Sequence, residues 1–123
     1  ITGLLLVVAV IHLLPLSGFF GVERLVLLYD VEIHDGNLEI LLRHRAVLFG
    51  IVGGFVAYAA FVPAAQPAAF VAGAISILSF FYLSFAVGDF NDAIRRVVIA
   101  DVVALGSLVV AVVLYMAGRR ATR

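Results

Sequence analysis

The side chains of this chain that could do chemistry stand at the edges of long apolar runs. His12 lies near the end of the first run, Arg43-His44-Arg45 precedes the second, and Asp101 lies just inside the last. A carboxylate, an imidazole and a guanidinium in an apolar layer are suited to moving a proton while holding developing negative charge. We therefore predict acid–base chemistry, with His12 and Asp101 as the proton-transfer pair and Arg43 or Arg45 stabilising the anion.

Further polar residues at the same edges are assigned to substrate binding, namely His44, Glu39, Asp89 and Asn91. Glu39 stands four residues before Arg43, an order that favours an ion pair on one helix face. Arg43 and Arg45 are about 200° apart around a helix, so only one of them can face the inside of a bundle. The other is expected to reach the lipid headgroups.

Other chemistries lack their sequence signals. The histidines and carboxylates show no H-E-x-x-H or similar spacing, so no metal site is predicted, and no cofactor is expected. The serines of the third run stand outside a G-x-S-x-G turn, which disfavours a serine nucleophile. The chain has no Cys and a formal charge of zero, which excludes thiol chemistry and a nucleic-acid partner.

The composition predicts a membrane protein. Apolar residues occupy 65% of the 123 positions and charged residues 13%, against about 45–50% and 25% in soluble domains. A chain of this length has too much surface for its volume to bury so many apolar side chains in a globule. Membrane lipid is therefore a predicted partner that covers them.

Four apolar runs are long enough to cross a hydrocarbon core of about 30 Å, which takes about 20 helical residues. They cover about 1–20, 38–62, 68–87 and 97–116. Asn37 is the predicted N-cap of the second helix, and Asp89 or Asn91 that of the last. Pro15 is expected to kink the first span. The predicted fold class is all-α, a single domain of residues 1–123 built as a four-transmembrane-helix bundle.

A short amphipathic helix is predicted within residues 22–35, between the first two spans. Apolar residues recur there at i, i+3, i+4 and i+7, with charged residues opposite. These apolar positions are Val22, Leu25, Val26 and Tyr29. The pattern is typical of a helix that lies in the membrane interface without crossing it.

The number of membrane crossings predicts that the polar residues lie near the same face of the membrane. The end of the first span, the start of the second, the end of the third and the start of the fourth share one face of the membrane. At 1.5 Å of rise per residue, His12 then lies about 12 Å from this face and Asp101 about 6 Å. All four helices are expected to contribute to one polar pocket near that face.

Small residues in the second span predict close helix packing. Gly50 and Gly54 form a G-x-x-x-G pattern, with Gly53 beside it. Packing within one bundle is the preferred interpretation. A homodimer through Gly50 and Gly54 is the alternative.

The layout resembles that of a known family. Four short spans, a Tyr at the end of the first extramembrane segment, and the entry into the second span from Arg43-His44-Arg45-Ala46 to Gly53-Gly54 resemble the DoxX-like group of small bacterial membrane proteins. The resemblance implies a four-helix bundle in the bacterial inner membrane and no single activity. The layout is also similar to that of four- and five-span sterol isomerases, which implies proton shuttling on a lipophilic substrate.

The leading hypothesis is a small integral membrane enzyme of the isomerase or epoxide-hydrolase type. Its substrate would be a lipophilic small molecule with one polar end, because the expected pocket lies among apolar helices. Two alternatives stay open: a non-catalytic module that binds a lipid or quinone or serves a larger complex, and a proton-linked transporter. Five arginines near the pocket face against three at the other end favour a cytoplasmic pocket. The chain begins with Ile, so residues are expected to precede it.

Overall fold

The computed structural model describes residues 1–32 and 34–121, and within these ranges the regular structure is entirely helical. This confirms the all-α prediction. The α-helices are α1 (Thr2–Leu13), α2 (Val22–Tyr29), α3 (Gly36–Phe61), α4 (Gln66–Val87) and α5 (Asp92–Ala121), and 3₁₀ segments cover Leu14–Phe20 and Pro63–Ala65. Four stretches are long and apolar enough to cross a membrane: Thr2–Phe20, Gly36–Phe61, Pro63–Val87 and Asp92–Arg120.

The first of these stretches, Thr2–Phe20, changes from one helical form to another along its length. The α-helix ends at Leu13, and a 3₁₀ segment continues to Phe20. Pro15 causes this change, because it has no N–H to donate to the carbonyl of Ile11 and its ring crowds the preceding turn. At Pro15 the structure shows a change from α to 3₁₀ geometry, and the expected kink stays a prediction.

The helix caps correct one prediction and confirm another. Asp35, not Asn37, is the N-cap of α3, and its carboxylate accepts a hydrogen bond from the Asn37 N–H at 2.9 Å. The prediction of Asn37 as the cap was wrong because an acidic side chain two residues earlier reaches the same backbone donors. Asn91 caps α5 as expected, since its side-chain oxygen accepts from the Ile94 N–H at 2.8 Å.

The four long elements form a ring of neighbours. Helix α1 packs against α3 and α5, and α4 packs against the same two helices. The order around the bundle is therefore α1, α3, α4, α5, with α1 diagonal to α4 and α3 diagonal to α5. The core between them is made of small and branched apolar side chains, including Leu5, Val8, Val56, Ala59, Ile77 and Leu108.

Glycines let α3 approach the first span closely. A Cβ added to Gly53 would lie 2.8 Å from Cγ of Leu13 and 3.1 Å from the Ala9 carbonyl oxygen. A Cβ on Gly50 would lie 2.7 Å from Cδ1 of Leu16. Gly54 has nothing within 4 Å of its added Cβ. Gly50 and Gly53 therefore pack within the chain, and a homodimer through this face stays a prediction.

The end of the bundle opposite the predicted pocket is closed by side-chain caps. Pro63 cannot donate a hydrogen bond to the Ala59 carbonyl one turn earlier. The buried Gln66 side chain donates to that carbonyl at 3.2 Å, and Thr2 Oγ1 donates to the Ala60 carbonyl at 2.8 Å. These bonds tie the C-terminus of α3 to α4 and α1.

Candidate functional site

A cavity of about 270 Å³ lies at one end of the bundle. It is bounded by α1 with its 3₁₀ extension, α2, α3 and α5. Most of its wall is apolar, and its polar members are His12, Tyr29, Arg45, Arg96 and Asp101. The structure thus brings His12, Arg45 and Asp101 to one cavity, where the count of crossings placed them.

His12 is 2% exposed, and both of its ring nitrogens are hydrogen-bonded. Nδ1 lies 2.9 Å from the Val8 carbonyl oxygen, and Nε2 lies 2.9 Å from Oγ of Ser76 on α4. A carbonyl oxygen only accepts, so Nδ1 must carry a proton. The ring also lies against Phe49, with 5.9 Å between the two centroids. These contacts fix the imidazole between α1, α3 and α4.

Arg45 is the arginine of the triplet that faces inward. Its Nη1 donates to the Tyr29 hydroxyl at 2.8 Å. Its guanidinium carbon lies 4.5 Å from the centroid of the Phe49 ring and 5.2 Å from that of Tyr29. A guanidinium is stabilised over aromatic faces, and its planar form keeps further N–H donors at its edge. Arg45 is therefore held in place by α2 and its own helix while it lines the cavity.

Asp101 is 9% exposed and lines the same cavity from α5. Within the described part of the chain, no hydrogen bond and no ion pair involves its carboxyl group. The Arg45 guanidinium acts on it electrostatically from across the cavity. Among the described residues, Asp101 and the exposed Arg96 are the charged groups of this cavity that make no hydrogen bond or ion pair, and of the two Asp101 is the buried one.

Three predicted site residues lie elsewhere. Arg43 donates from Nε to the Phe19 carbonyl at 2.9 Å, and its Nη1 pairs with Glu39 at 3.3 Å. Together with the exposed His44, these side chains line a separate surface pocket beside Phe19. The structure therefore does not bring Arg43, Glu39 and His44 to the cavity of Asp101, and the expected opposition of Arg43 and Arg45 around α3 is present.

The residues of the last loop differ in their surroundings. Asn91 donates from Nδ2 to the Tyr29 and Asp30 carbonyls at 2.8 Å each, so it joins the end of α2 to the start of α5. Together with its cap on Ile94, all of its hydrogen bonds go to backbone groups. Asp89 is exposed and stands outside the cavity lining.

Both diagonals of the bundle carry a polar interaction near this end. His12 of α1 reaches Ser76 of α4, and Arg45 of α3 faces Asp101 of α5. The two pairs belong to helices that are not neighbours in the ring. Polar groups therefore meet in the centre of an otherwise apolar bundle, where the apolar surroundings strengthen electrostatic interactions.

No protein-family model, curated protein or solved structure matches this chain. In residues 1–32 and 34–121, no three His, Cys, Asp or Glu side chains come together as a group that could hold a metal ion. The chemistry available is that of Asp101, Arg45, His12 and the hydroxyl groups beside them.

Two contacts of the candidate site were not predicted from the sequence. Ser76 was set aside because it lacks a nucleophile-turn motif, yet it is the partner of His12. Tyr29 was treated as an apolar position of a short helix, yet its hydroxyl accepts from Arg45. Tyr29 is 5% exposed, so it faces the bundle, whereas the spacing of the apolar residues predicted only a helix in the membrane interface. Nothing in the sequence indicates the pairing of residues 12 and 76.

Proposed function

We propose that this chain is an integral membrane protein of four spans. Only 17–28% of the positions in the four apolar windows are buried within the chain. The apolar side chains that stay exposed need an apolar environment outside the chain, which lipid acyl chains supply. The proposal also places α2 in the membrane interface, because the exposed face of this short helix carries the apolar Leu27 beside the charged Glu23 and Arg24. The DoxX-like resemblance supports a bacterial inner membrane.

We further propose that the cavity binds a lipophilic molecule by its polar end and that Asp101 transfers a proton to or from it. The observation that carries this proposal is the Asp101 carboxyl group, which is buried and directed to an apolar cavity without a hydrogen bond to the described chain. Ionisable groups at membrane depth cost several kcal/mol unless they pair or face a polar ligand or water, so such groups are usually functional.

Arg45 has the second role in this proposal. A proton removed from the ligand leaves negative charge behind, and a cation already fixed beside the cavity stabilises that charge without reorganising. Arg45 is held by the Tyr29 hydroxyl and two aromatic rings before any ligand arrives. Of the two arginines that the sequence offered for this role, the cavity contains Arg45.

The size of the cavity supports the class of ligand. About 270 Å³ is slightly below the range of pockets that enclose a whole drug-sized molecule, which begins at about 300 Å³. A polar head with a few ring or chain carbons fits this volume. The remainder of a long lipophile would extend between the helices toward the lipid.

The experiment is a turnover assay in lipid nanodiscs with two kinds of probe, long-chain β,γ-unsaturated ketones for isomerisation and long-chain epoxides for hydrolysis. Asp101→Asn keeps the shape and removes the proton-transfer group, and we expect the rate to fall by about 10²- to 10⁴-fold. Asp92→Asn is the matched control, because Asp92 lies on the same helix with its side chain 88% exposed. Equal rates for Asp101→Asn and the unmodified protein would contradict the proposal.

A second function is favoured by one specific observation. Both nitrogens of His12 are already hydrogen-bonded, so Asp101 is left without a free imidazole as its proton partner. A module that binds a lipid or quinone without reaction needs only the carboxyl group and Arg45. Binding of a probe that is lost in Asp101→Asn, together with no turnover of either probe class, would support this alternative.

A further inference from the structure

The three serines of α4 use their hydroxyl groups differently. Ser79 Oγ donates to the Ser76 carbonyl at 3.1 Å, and Ser84 Oγ donates to the Phe80 carbonyl at 2.8 Å. Both are the bonds to the preceding turn that serine commonly makes within a helix. Ser76 instead directs its hydroxyl to Nε2 of His12, on the helix diagonal to its own, at 2.9 Å. Its hydroxyl is therefore positioned by tertiary structure.

The direction of this hydrogen bond follows from the other side of the imidazole. The Val8 carbonyl can only accept, so the proton of the neutral ring lies on Nδ1 and the lone pair on Nε2. The Ser76 hydroxyl must then donate to Nε2. A hydroxyl that donates to a base, with the base oriented by a third group, is the arrangement of an activated nucleophile.

We propose that Ser76 and His12 form a serine–histidine dyad that acts on acyl esters of lipophilic compounds. The Val8 carbonyl takes the place of the carboxylate that orients the histidine in a triad. A G-x-S-x-G turn is not required, since this constellation occurs on unrelated folds and is recognised by geometry. The proposal is independent of the role given to Asp101.

Ser76 also has space for a substrate beside it. A groove of about 230 Å³ between α3 and α4 is lined by Ser76, Ser79 and Arg45. The rest of its wall is apolar, made of Leu48, Phe49, Val52, Phe80 and Leu83. This groove and the cavity of Asp101 share Arg45 and Phe49, so they lie on two sides of the same polar centre. An apolar groove of this kind suits a fatty acyl chain with its ester at Ser76.

The reaction balances with water as the only co-reactant. Ser76 Oγ forms a bond to the ester carbonyl carbon while its proton passes to Nε2 of His12. The developing oxyanion is stabilised by Arg45, and collapse breaks the carbon–oxygen bond to the alcohol, which leaves with the proton from His12. Water then attacks the acyl-serine, gives its proton to His12 and releases the fatty acid, with Ser76 restored as His12 returns the proton.

The test is covalent labelling of the full chain in nanodiscs with a long-chain alkyl fluorophosphonate, read by peptide mass spectrometry. We expect an adduct on Ser76 and none on Ser79, which lines the same groove but donates to its own helix. Ser76→Ala should abolish labelling, and Ser84→Ala should leave it unchanged, because Ser84 stands outside the groove lining and donates to its own helix. His12→Gln should slow it by about 10²-fold or more, the lower range of general-base catalysis.

Hydrolysis of a p-nitrophenyl ester of a medium-chain fatty acid gives a second readout, and it should be lost in Ser76→Ala but not in Ser84→Ala. The absence of an adduct in the unmodified protein, or equal labelling of the two serines, would overturn the proposal. The comparison between two serines of one molecule decides the outcome even if His12→Gln fails to fold. Because the readout is an adduct on Ser76, it leaves the test of Asp101 separate.

Discussion

Replacement of Gly53 by alanine should destabilise the bundle, although alanine is the better helix former. The new Cβ would lie 2.8 Å from Cγ of Leu13 and 3.1 Å from the Ala9 carbonyl oxygen. The Leu13 Cγ moves only if the whole side chain changes its χ1 rotamer, and the Ala9 oxygen belongs to the backbone of the neighbouring helix, so relief of the contact requires repacking. Overpacking of this kind costs about 1–3 kcal/mol.

The adjacent glycine supplies the control. A Cβ on Gly54 meets nothing within 4 Å, so Gly54→Ala should only gain the helix propensity of alanine, about 0.5–1 kcal/mol. Gly50→Ala should fall between the two variants, because its nearest contact is Cδ1 at the flexible end of the Leu16 side chain. The expected order of the free energy of unfolding is Gly54→Ala highest, then Gly50→Ala, then Gly53→Ala.

The assay is reversible unfolding in mixed micelles with increasing SDS. The chain has no Cys and no Trp, so a pair of dyes on Gly3→Cys and Phe61→Cys can report the separation of α1 from α3. Gly3 has open space around it and Phe61 is 70% exposed, which makes both suitable for labelling. Equal stability of Gly53→Ala and Gly54→Ala would refute the proposed close approach of α1 and α3.

Two other predictions concern the loops. Asn91→Ala removes the cap of α5 and the hydrogen bonds to two carbonyls at the end of α2. It should lower the free energy of unfolding by about 1–2 kcal/mol in the same assay. An unchanged value would contradict the role of Asn91 as a connection between the two helices. In a four-span topology, Glu32→Cys and Asp89→Cys should react with an impermeant maleimide added on one side of the membrane. Ala64→Cys should react only with maleimide added on the other side. Reaction of all three variants from one side would exclude that topology.

The positions of the long helices were predictable because the length and apolar composition that indicate such a helix can be read from each segment alone. An apolar run of about 20 residues indicates a span wherever it occurs, and Pro15 indicates a break in the first one. Helix ends were less certain, since Asp35 and Asn37 are both good caps and their competition depends on backbone geometry. Asn37 was therefore predicted as the N-cap of α3, where the structure has Asp35.

The site was only partly predictable because it depends on how the helices are rotated about their axes. Spacing alone showed that Arg43 and Arg45 face different ways, but not which of them faces inward. The order of the crossings placed His12 near Asp101. The hydrogen bond between His12 and Ser76 joins residues 64 positions apart in the chain, and predicting it requires knowing how far α1 and α4 are each rotated about their axes. That information lies in the packing of Gly53 and its neighbours, not in a local pattern.

The 3₁₀ segment after Leu13 makes the stretch Thr2–Phe20 longer than an α-helix of the same number of residues. A 3₁₀-helix rises about 2.0 Å per residue and an α-helix about 1.5 Å. The stretch Thr2–Phe20 therefore extends over about 32 Å, where an uninterrupted α-helix would extend over about 28 Å. In the proposed four-span topology, this added length would bring the shortest of the four candidate spans close to the hydrophobic thickness of an ordinary bilayer.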